Sequence, residues 1–588
     1  MPAGRRRIRY GLALLPFLAL YIGIRLLAWR RTVLLEDTDS VGLIGQAQAY
    51  MSGDLARIAA LDPDRTPLYP GAVALLGLPG WSPEFAARLT SFAFALLLFV
   101  VLALMIRPLA ERRGTLIGLF FLSLSPVLIP HSYAVLTEPA YTAVVTAGLL
   151  LFLLQYERPT VRSGAALGLT FGAAFLCRTE GFLYLGTIPL FQTVHFAFAR
   201  APAYSRRQLL GWGAAFCAAF ALLAVPQIWD VSRKMNGLAI NGRQAWSVVL
   251  GENLTGLARD ARRAGLDYSP SKINVEAAWS DPALRARLGR RGSSPLNYAR
   301  IAVRNLDEFD HEIIGRTAGP VILICFAYGM LALVRRGRRF PVFAIGGFIA
   351  AALFAPMLQH LLTRHVLVVL PVMLIVAGIG TVELGRTFVP PTGSSRRWAR
   401  AIVLGVCGIW LLTEVRRIEA VLHPPAYNKE YNPAELVEPA RLVRTMSADT
   451  GNDLRIVARR PYLAFAVGGS TINVPFSSLS GLLRYIRLND ADFLFIEQSQ
   501  IAAWPFLQEL AARDSVPGLE RVYSKLTETN GRLELYRVDP AKLDTVAEPI
   551  AMADEPLPRT RRRYRGSALG TTPTGCRARG SRTRSRGR

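Results

Sequence analysis

Short polar stretches interrupt an otherwise apolar chain, and they carry the side chains best suited to chemistry. The first is Glu36-Asp37-Thr38-Asp39-Ser40, followed by Asp64-Arg65-Thr66-Pro67-Leu68-Tyr69-Pro70-Gly71. Further along come Leu136-Thr137-Glu138-Pro139, Arg178-Thr179-Glu180-Gly181 and Thr363-Arg364-His365. Carboxylates of this kind can ligate a divalent cation or pair with arginines, and guanidiniums can hold an anionic group. The ordinary alternatives are a solvated helix end for the acids, and for an arginine snorkelling or pairing with a neighbour such as Glu180. His131 and His360 stand alone and read as hydrogen-bonding groups. There is no HExxH pair, no His/Cys ligand spacing and no Walker loop, so any metal would have to bind through carboxylates. Gly-rich pieces such as Gly346-Gly347 lie inside apolar runs and read as helix-packing positions.

The elements that must position these residues are membrane helices. Of the 588 residues 51% are hydrophobic and only 19% charged, which points to lipid as a major solvent. Apolar runs predict about eleven transmembrane helices near 10–29, 85–106, 115–131, 138–155, 163–178, 181–198, 209–229, 317–334, 341–361, 365–385 and 400–415. The first is read as a retained helix, since no small-residue cleavage site follows it. Pro126, Pro130, Pro226 and Pro356 are expected near helix ends. The formal charge of +27 would suit nucleic acid if it covered one face, but it does not. Eleven arginines crowd between Arg559 and Arg588, and most of the remainder sits in short loops. Those loops alternate along the chain, as with Arg5, Arg6, Arg7 and Arg9, then Arg107, Arg112 and Arg113, and later Arg335, Arg336, Arg338 and Arg339. Alternation of this kind marks the cytoplasmic side, so no nucleic-acid partner is expected. The five cysteines imply neither a disulfide framework nor a CxxC metal site.

The opposite, extracytoplasmic side then receives the loops 31–84 and 230–316 and everything after about 416. This predicts a transmembrane domain over 1–423, a small α/β domain over 424–548 and a disordered basic tail over 549–588. In the α/β domain Leu454–Ala458 and Phe493–Glu497 read as strands, Trp504–Arg513 as a helix, and Asn530-Gly531 as a hairpin turn before Arg532–Val538. In the first loop Val41–Gly53 reads as an amphipathic helix lying on the surface. The prolines of 64–71 argue there against a regular helix.

The order Asp39-Ser40, Ala47, Tyr50, Gly53, then Arg65-Thr66-Pro67-Leu68-Tyr69-Pro70 resembles the first loop of GT-C-type glycosyltransferases. These include the protein O-mannosyltransferase and aminoarabinose transferase relatives. The likeness continues through Glu138-Pro139, Arg178-Thr179-Glu180-Gly181, Thr363-Arg364-His365 and Leu370-Pro371, over about residues 10–390. It implies an inverting enzyme that moves a sugar from a polyprenyl-phosphate carrier to an acceptor hydroxyl at the extracytoplasmic membrane surface. In such enzymes a first-loop aspartate is the base; Asp39 matches it best and Asp37 is the second choice. Thr38 stands between them where the mannosyltransferase branch commonly has an Asp-Glu pair, so the sugar stays open. Negative charge grows on the leaving phosphate, and Arg65, Arg178 and Arg364 are the cations expected to hold it. Asp64, Tyr69, Glu138 and Glu180 are supporting residues; Asp64 and Glu138 could hold a divalent cation, orient the donor or pair with the arginines. The acceptor is left open among a glycan, a lipid and a protein, and the setting expected is the bacterial plasma membrane. The rival reading is a transporter or flippase of lipid-linked glycans. It is disfavoured because the charges gather at one interface and no repeated halves are visible.

Overall fold

The structure is a computed structural model that describes residues 3–31, 38–53, 58, 65–198, 203–234, 238–240, 303, 317–358, 363–388, 395–423, 433–447, 454–472, 474, 479–503, 505–513, 515–528 and 531–543. Asp37, Asp64, His360, Asn530, nearly all of the 230–316 loop and the 549–588 tail lie outside the described residues.

Apolar composition sets the helical part. Its main helices are α1 (Ala3–Arg31), α2 (Thr38–Ser52), α3 (Leu68–Gly77), α4 (Pro83–Leu104), α5 (Arg112–Leu124), α6 (Glu138–Gln155) and α7 (Val161–Cys177). There follow α8 (Tyr184–Phe198), α9 (Arg206–Lys234), α10 (Gly319–Arg335), α11 (Arg339–Leu358), α12 (Leu370–Thr387) and α13 (Ser395–Leu422). Among the described residues six helices (α1, α4, α6, α9, α12 and α13) are long and apolar enough to cross a membrane, and α7, α10 and α11 are shorter apolar helices. Burial sorts them into centre and rim. In the most apolar stretches of α6 and α12, 72% and 78% of residues are buried, against 17%, 22% and 11% for α1, α9 and α13, which leaves the latter three to face lipid.

The central helix α12 packs closely on α5 and α10 because glycines remove the side chains between them. A Cβ on Gly378 would strike Gly114 and Gly118 of α5, and one on Gly380 would strike Cys325 of α10. Of the pair Gly346-Gly347, only Gly347 meets a neighbour, the Phe191 ring.

Several sequence expectations change. The run 115–131 breaks after Leu124 and resumes only as the turn Leu128–His131. Pro226 lies well inside α9, which continues to Lys234, so the large loop begins later than expected. Helix α13 likewise runs on to Leu422. Pro70 does not prevent a helix: it is the third residue of α3, where a missing N–H costs nothing because the first-turn donors have no intrahelical acceptor. Helix α2 does not lie on a surface. From Ser40 to Met51 it has no exposed residue, because Leu43, Ile44 and Ala47 enter the membrane-helix core while other sides meet further elements.

After α13 the chain forms α14 (Val437–Met446), β1 (Arg455–Ala458), α15 (Tyr462–Val467), β2 (Ser470–Ile472), α16 (Leu479–Leu488) and β3 (Phe493–Glu497). It closes with α17 (Gln498–Ala503), α18 (Pro505–Ala512), β4 (Leu519–Leu526) and β5 (Arg532–Val538). The sheet order is β2-β1-β3-β5-β4, with β1 parallel to β2 and β3, and β5 antiparallel to β3 and β4. Alternation along the strands gives it two apolar faces. Val457, Leu494 and Ile496 pack with α16 and α18, while Ile456, Phe493 and Phe495 pack with α14 and α15. At the β4–β5 turn the Thr527 amide donates to the Gly531 carbonyl (2.8 Å), and Gly531 takes φ +69°.

Candidate active site

Asp39 lies in the first turn of α2, Glu138 opens α6, Arg178 follows the last residue of α7, and Arg364 sits in the helical turn Thr363–Val366 before α12. These positions are far apart in sequence, yet their side chains form one chain of alternating charge. Arg364 Nη1 donates to Asp39 Oδ2 at 3.0 Å, and its Nε lies 3.8 Å from Glu138 Oε1. The same Glu138 oxygen accepts from Arg178 Nη1 at 2.6 Å, and Arg178 Nη2 donates to Glu180 Oε1 at 2.8 Å. Arg65 joins at the other end, donating from Nη1 to the Asp39 carbonyl at 3.2 Å.

Local chemistry explains each placement. The N-terminal turns of α2 and α6 leave amides without intrahelical acceptors, a positive end that favours Asp39 and Glu138 there. The loop is pinned by Thr66 Oγ1, which donates to the Cys177 carbonyl at 2.6 Å, next to Arg178. Ser40 Oγ donates to the Val135 carbonyl at 3.0 Å and ties α2 to the segment entering α6. The Arg65 guanidinium lies over Gly42, where a Cβ would overlap it.

Burial grades the network. The Glu138 side chain is 3% exposed and Arg178 13%, whereas Arg364 and Asp39 are 26% and 33% exposed. Glu138 and Arg178 are thus the buried middle of the network, with Glu180 (26% exposed) at one partly exposed end and the Asp39–Arg364 pair at the other. Burial opposes the charge on Glu180, but Arg178 outweighs it and holds that carboxyl below the usual carboxylate range. Both Nη atoms of Arg178 are taken by carboxylates, so the pairing alternative describes this arginine better than phosphate binding. Arg65, Arg364 and Asp39 are brought together at the latter end. Tyr69 is fully buried, with its hydroxyl on the Ala87 carbonyl (3.0 Å) and beside Ser91 Oγ (2.8 Å), and it anchors α3 to α4 rather than facing a ligand.

Among the described residues no three His, Cys, Asp or Glu side chains gather as a metal site. The carboxylates that do meet are counter-charged by guanidiniums, and the other acids expected in the first loop, Asp37 and Asp64, lie outside the described residues.

Arg25 was not singled out from the sequence, although an arginine inside an apolar run is itself a signal. It is fully buried, with Nε on Ser132 Oγ (2.7 Å), Nη1 on the Ser123 carbonyl (3.0 Å) and Nη2 on the Leu122 carbonyl (3.2 Å). Its guanidinium also covers the Tyr21 ring at 3.4 Å. It thereby ties α1 to the end of α5 and to the segment that leads into Glu138. His131 lies in that segment, and its Nδ1 has no hydrogen-bond partner among the described residues.

A second charge network occupies the other end of α12. Arg336 bridges Glu111 and Glu383 at 2.6 Å each, and Arg386 joins both acids. Helix α12 has 18 residues, about 27 Å at 1.5 Å per residue, close to the thickness of a bilayer's hydrocarbon core.

No protein-family model and no curated protein matches the sequence. Solved structures do match in fold. The oligosaccharyltransferase of Archaeoglobus fulgidus, in a complex with Zn and sulfate, aligns with a TM-score of 0.55 at 12% identity, over 88% of this chain and 72% of that one. The AglB oligosaccharyltransferase of the same organism, solved with an inhibitory peptide and a dolichol-phosphate, gives 0.53 at 13% identity, over 91% and 75%. ArnT from Cupriavidus metallidurans bound to undecaprenyl phosphate gives 0.52 at 13% identity, over 91% and 99%. All three are GT-C membrane enzymes. A chain with membrane-length apolar helices that aligns over most of its length with these enzymes is an integral membrane protein with the GT-C fold.

Proposed function

We propose that this protein is a glycosyltransferase that takes a sugar from a polyprenyl-phosphate carrier and transfers it, with inversion, to an acceptor hydroxyl. The observation that carries the reading is the Asp39–Arg364 pair beside Arg65, at a partly exposed end of a charge network whose middle, Glu138 and Arg178, is buried. Asp39 is the base: it takes the proton of the acceptor hydroxyl as that oxygen attacks the anomeric carbon from the face opposite the phosphate. The bond from the anomeric carbon to the phosphate oxygen breaks, and the electron pair leaves with the lipid phosphate. Arg364 and Arg65 meet the charge that grows there. Arg178 does not reach the donor in this scheme; with Glu138 and Glu180 it fixes the position of Arg364. Because Arg364 is bound to Asp39 before donor arrives, the donor phosphate competes for the arginine and releases the aspartate to act as base.

Two of the fold relatives were solved with polyprenyl phosphates bound, dolichol-phosphate in one and undecaprenyl phosphate in the other, which supports a lipid-linked donor. About eleven spanning helices, a sheet domain outside the membrane and a site on the extracytoplasmic face of a bacterial plasma membrane complete the reading. The arginine-rich loops support that orientation. A glycan, a lipid or a protein could supply the acceptor hydroxyl, and a divalent cation could join only through carboxylates, with Asp64 and Glu138 the candidates. The direct test is a transfer assay with purified protein against a panel of polyprenyl-phosphate sugars. Transfer from at least one donor, dependent on the phosphate-linked lipid, is expected; no transfer from any of them removes the reading.

A further inference from the structure

Four consecutive residues in the first turns of α2 meet four different parts of the molecule. Asp39 pairs with Arg364, Ser40 holds the Val135 carbonyl, and Gly42 lies beneath the Arg65 guanidinium. Between them Val41, half-buried, packs into the sheet core built from Tyr462, Leu463 and Ala464 of α15 and the strands behind them. Successive helical residues are rotated by about 100°, so four such contacts grip the turn from all round. The contact with the sheet is reciprocal: α15 lies against α2, and Phe465 of α15 packs into the membrane-helix core. Three of the four grips belong to the site described above; the fourth comes from the sheet.

We propose that the packing of α15 against α2, with Val41 in the sheet core and Phe465 in the membrane-helix core, positions the Asp39 carboxylate for the acceptor proton. This rests on the reading of Asp39 as the base. The first turn of a helix has no intrahelical acceptor for its amides and is the part most readily displaced. A displacement of about 1 Å at a reacting group can cost about 100-fold in rate, so an apolar contact two residues from the carboxylate is enough to govern turnover. Val41 and Phe465 touch neither donor nor acceptor in this scheme; they are positioning residues, and the sheet is the support that keeps the base in register.

The test compares Val41→Ala, Phe465→Ala, the double variant and Phe465→Leu in the full chain, by transfer kinetics and by hydrogen–deuterium exchange over residues 38–46. Each alanine change should lower kcat about tenfold with donor and acceptor KM within about twofold, a pattern that separates misplacement from lost binding. Exchange over α2 should quicken, Phe465→Leu should restore both properties, and the double variant should be little worse than the poorer single one. Wild-type exchange over α2 in both alanine variants overturns the proposal, and so does faster exchange with an unchanged kcat. If the wild-type chain transfers no sugar, it is the proposed activity that fails, and the exchange result alone then decides whether the sheet grips α2.

Discussion

Arg364 Nη1 donates a 3.0 Å hydrogen bond to Asp39 Oδ2, joining two residues 325 positions apart in sequence at a partly exposed end of a charge network whose middle is buried. An aspartate held this way is a poor base until its arginine has something better to bind. If Asp39 takes the acceptor proton, Asp39→Asn keeps the size and most hydrogen bonding but cannot accept a proton. Turnover at saturating donor should then fall by about two to four orders of magnitude. Asp37→Asn should do much less. Near-normal turnover in both single variants would sink the catalytic reading of this loop.

Arg364 and Arg65 should govern donor use. Arg364→Ala and Arg65→Ala each remove a charge-assisted hydrogen bond to phosphate, so the donor KM should rise about tenfold or more. Lysine at either position should retain part of the binding, since it keeps the charge and loses the bidentate fork. Donor titrations at fixed acceptor read this directly; an alanine variant with an unchanged donor KM takes that arginine out of the site.

Gly42→Ala separates the site from the fold. The new Cβ would overlap the Arg65 guanidinium, which is the far end of a flexible side chain and can move away. Alanine is worth up to about 1 kcal/mol over glycine within a helix, so the protein should unfold no more easily. Donor binding should weaken as Arg65→Ala weakens it. A stable Gly42→Ala protein with wild-type donor KM would mean that the Arg65 position is irrelevant to donor.

Arg178 should matter for stability as well as for activity. Arg178→Ala strips the half-buried Glu180 of its 2.8 Å partner and leaves the buried Glu138 with only the more distant Arg364, at a cost of about 3 kcal/mol, read as a lower unfolding temperature in detergent. The acid side has a definite sign. Arg178 depresses the Glu180 carboxyl to about 2, so this group's contribution to stability is full above the ordinary carboxylate range and is lost progressively as the pH falls from there toward about 2. The alanine variant should lack that loss. Equal acid sensitivity in the two proteins would show that the pair does not carry it.

The two charge networks at the ends of α12 should face opposite compartments. Fusion reporters at residue 337, beside Arg336, and at residue 480, in α16, should report opposite sides, with residue 337 cytoplasmic. Finding both on one side overturns the orientation and moves the site with it.

Local pattern in the sequence determined a good deal. Apolar runs of membrane length mark α1, α4, α6, α9 and α12 because lipid leaves a backbone no partner but itself, so helix and hydrophobicity coincide. Short apolar runs, with Ile and Val in Arg455–Ala458 and Phe and Ile in Phe493–Glu497, mark these segments as strands for the same kind of local reason. Asp39, Glu138, Arg178, Glu180 and Arg364 stand out in the sequence as charges in an apolar setting. What only the tertiary structure decided is who meets whom. Ion pairs between residues 40 to 325 positions apart depend on how whole helices pack, and no local pattern encodes that. Packing assigned Arg178 to two carboxylates, withdrew the Tyr69 hydroxyl onto Ala87 and Ser91, and turned α2 from a surface helix into one without an exposed residue from Ser40 to Met51. A residue's type says what it can bind, but burial and neighbours decide which partner it has, because a buried charge or hydroxyl must find one.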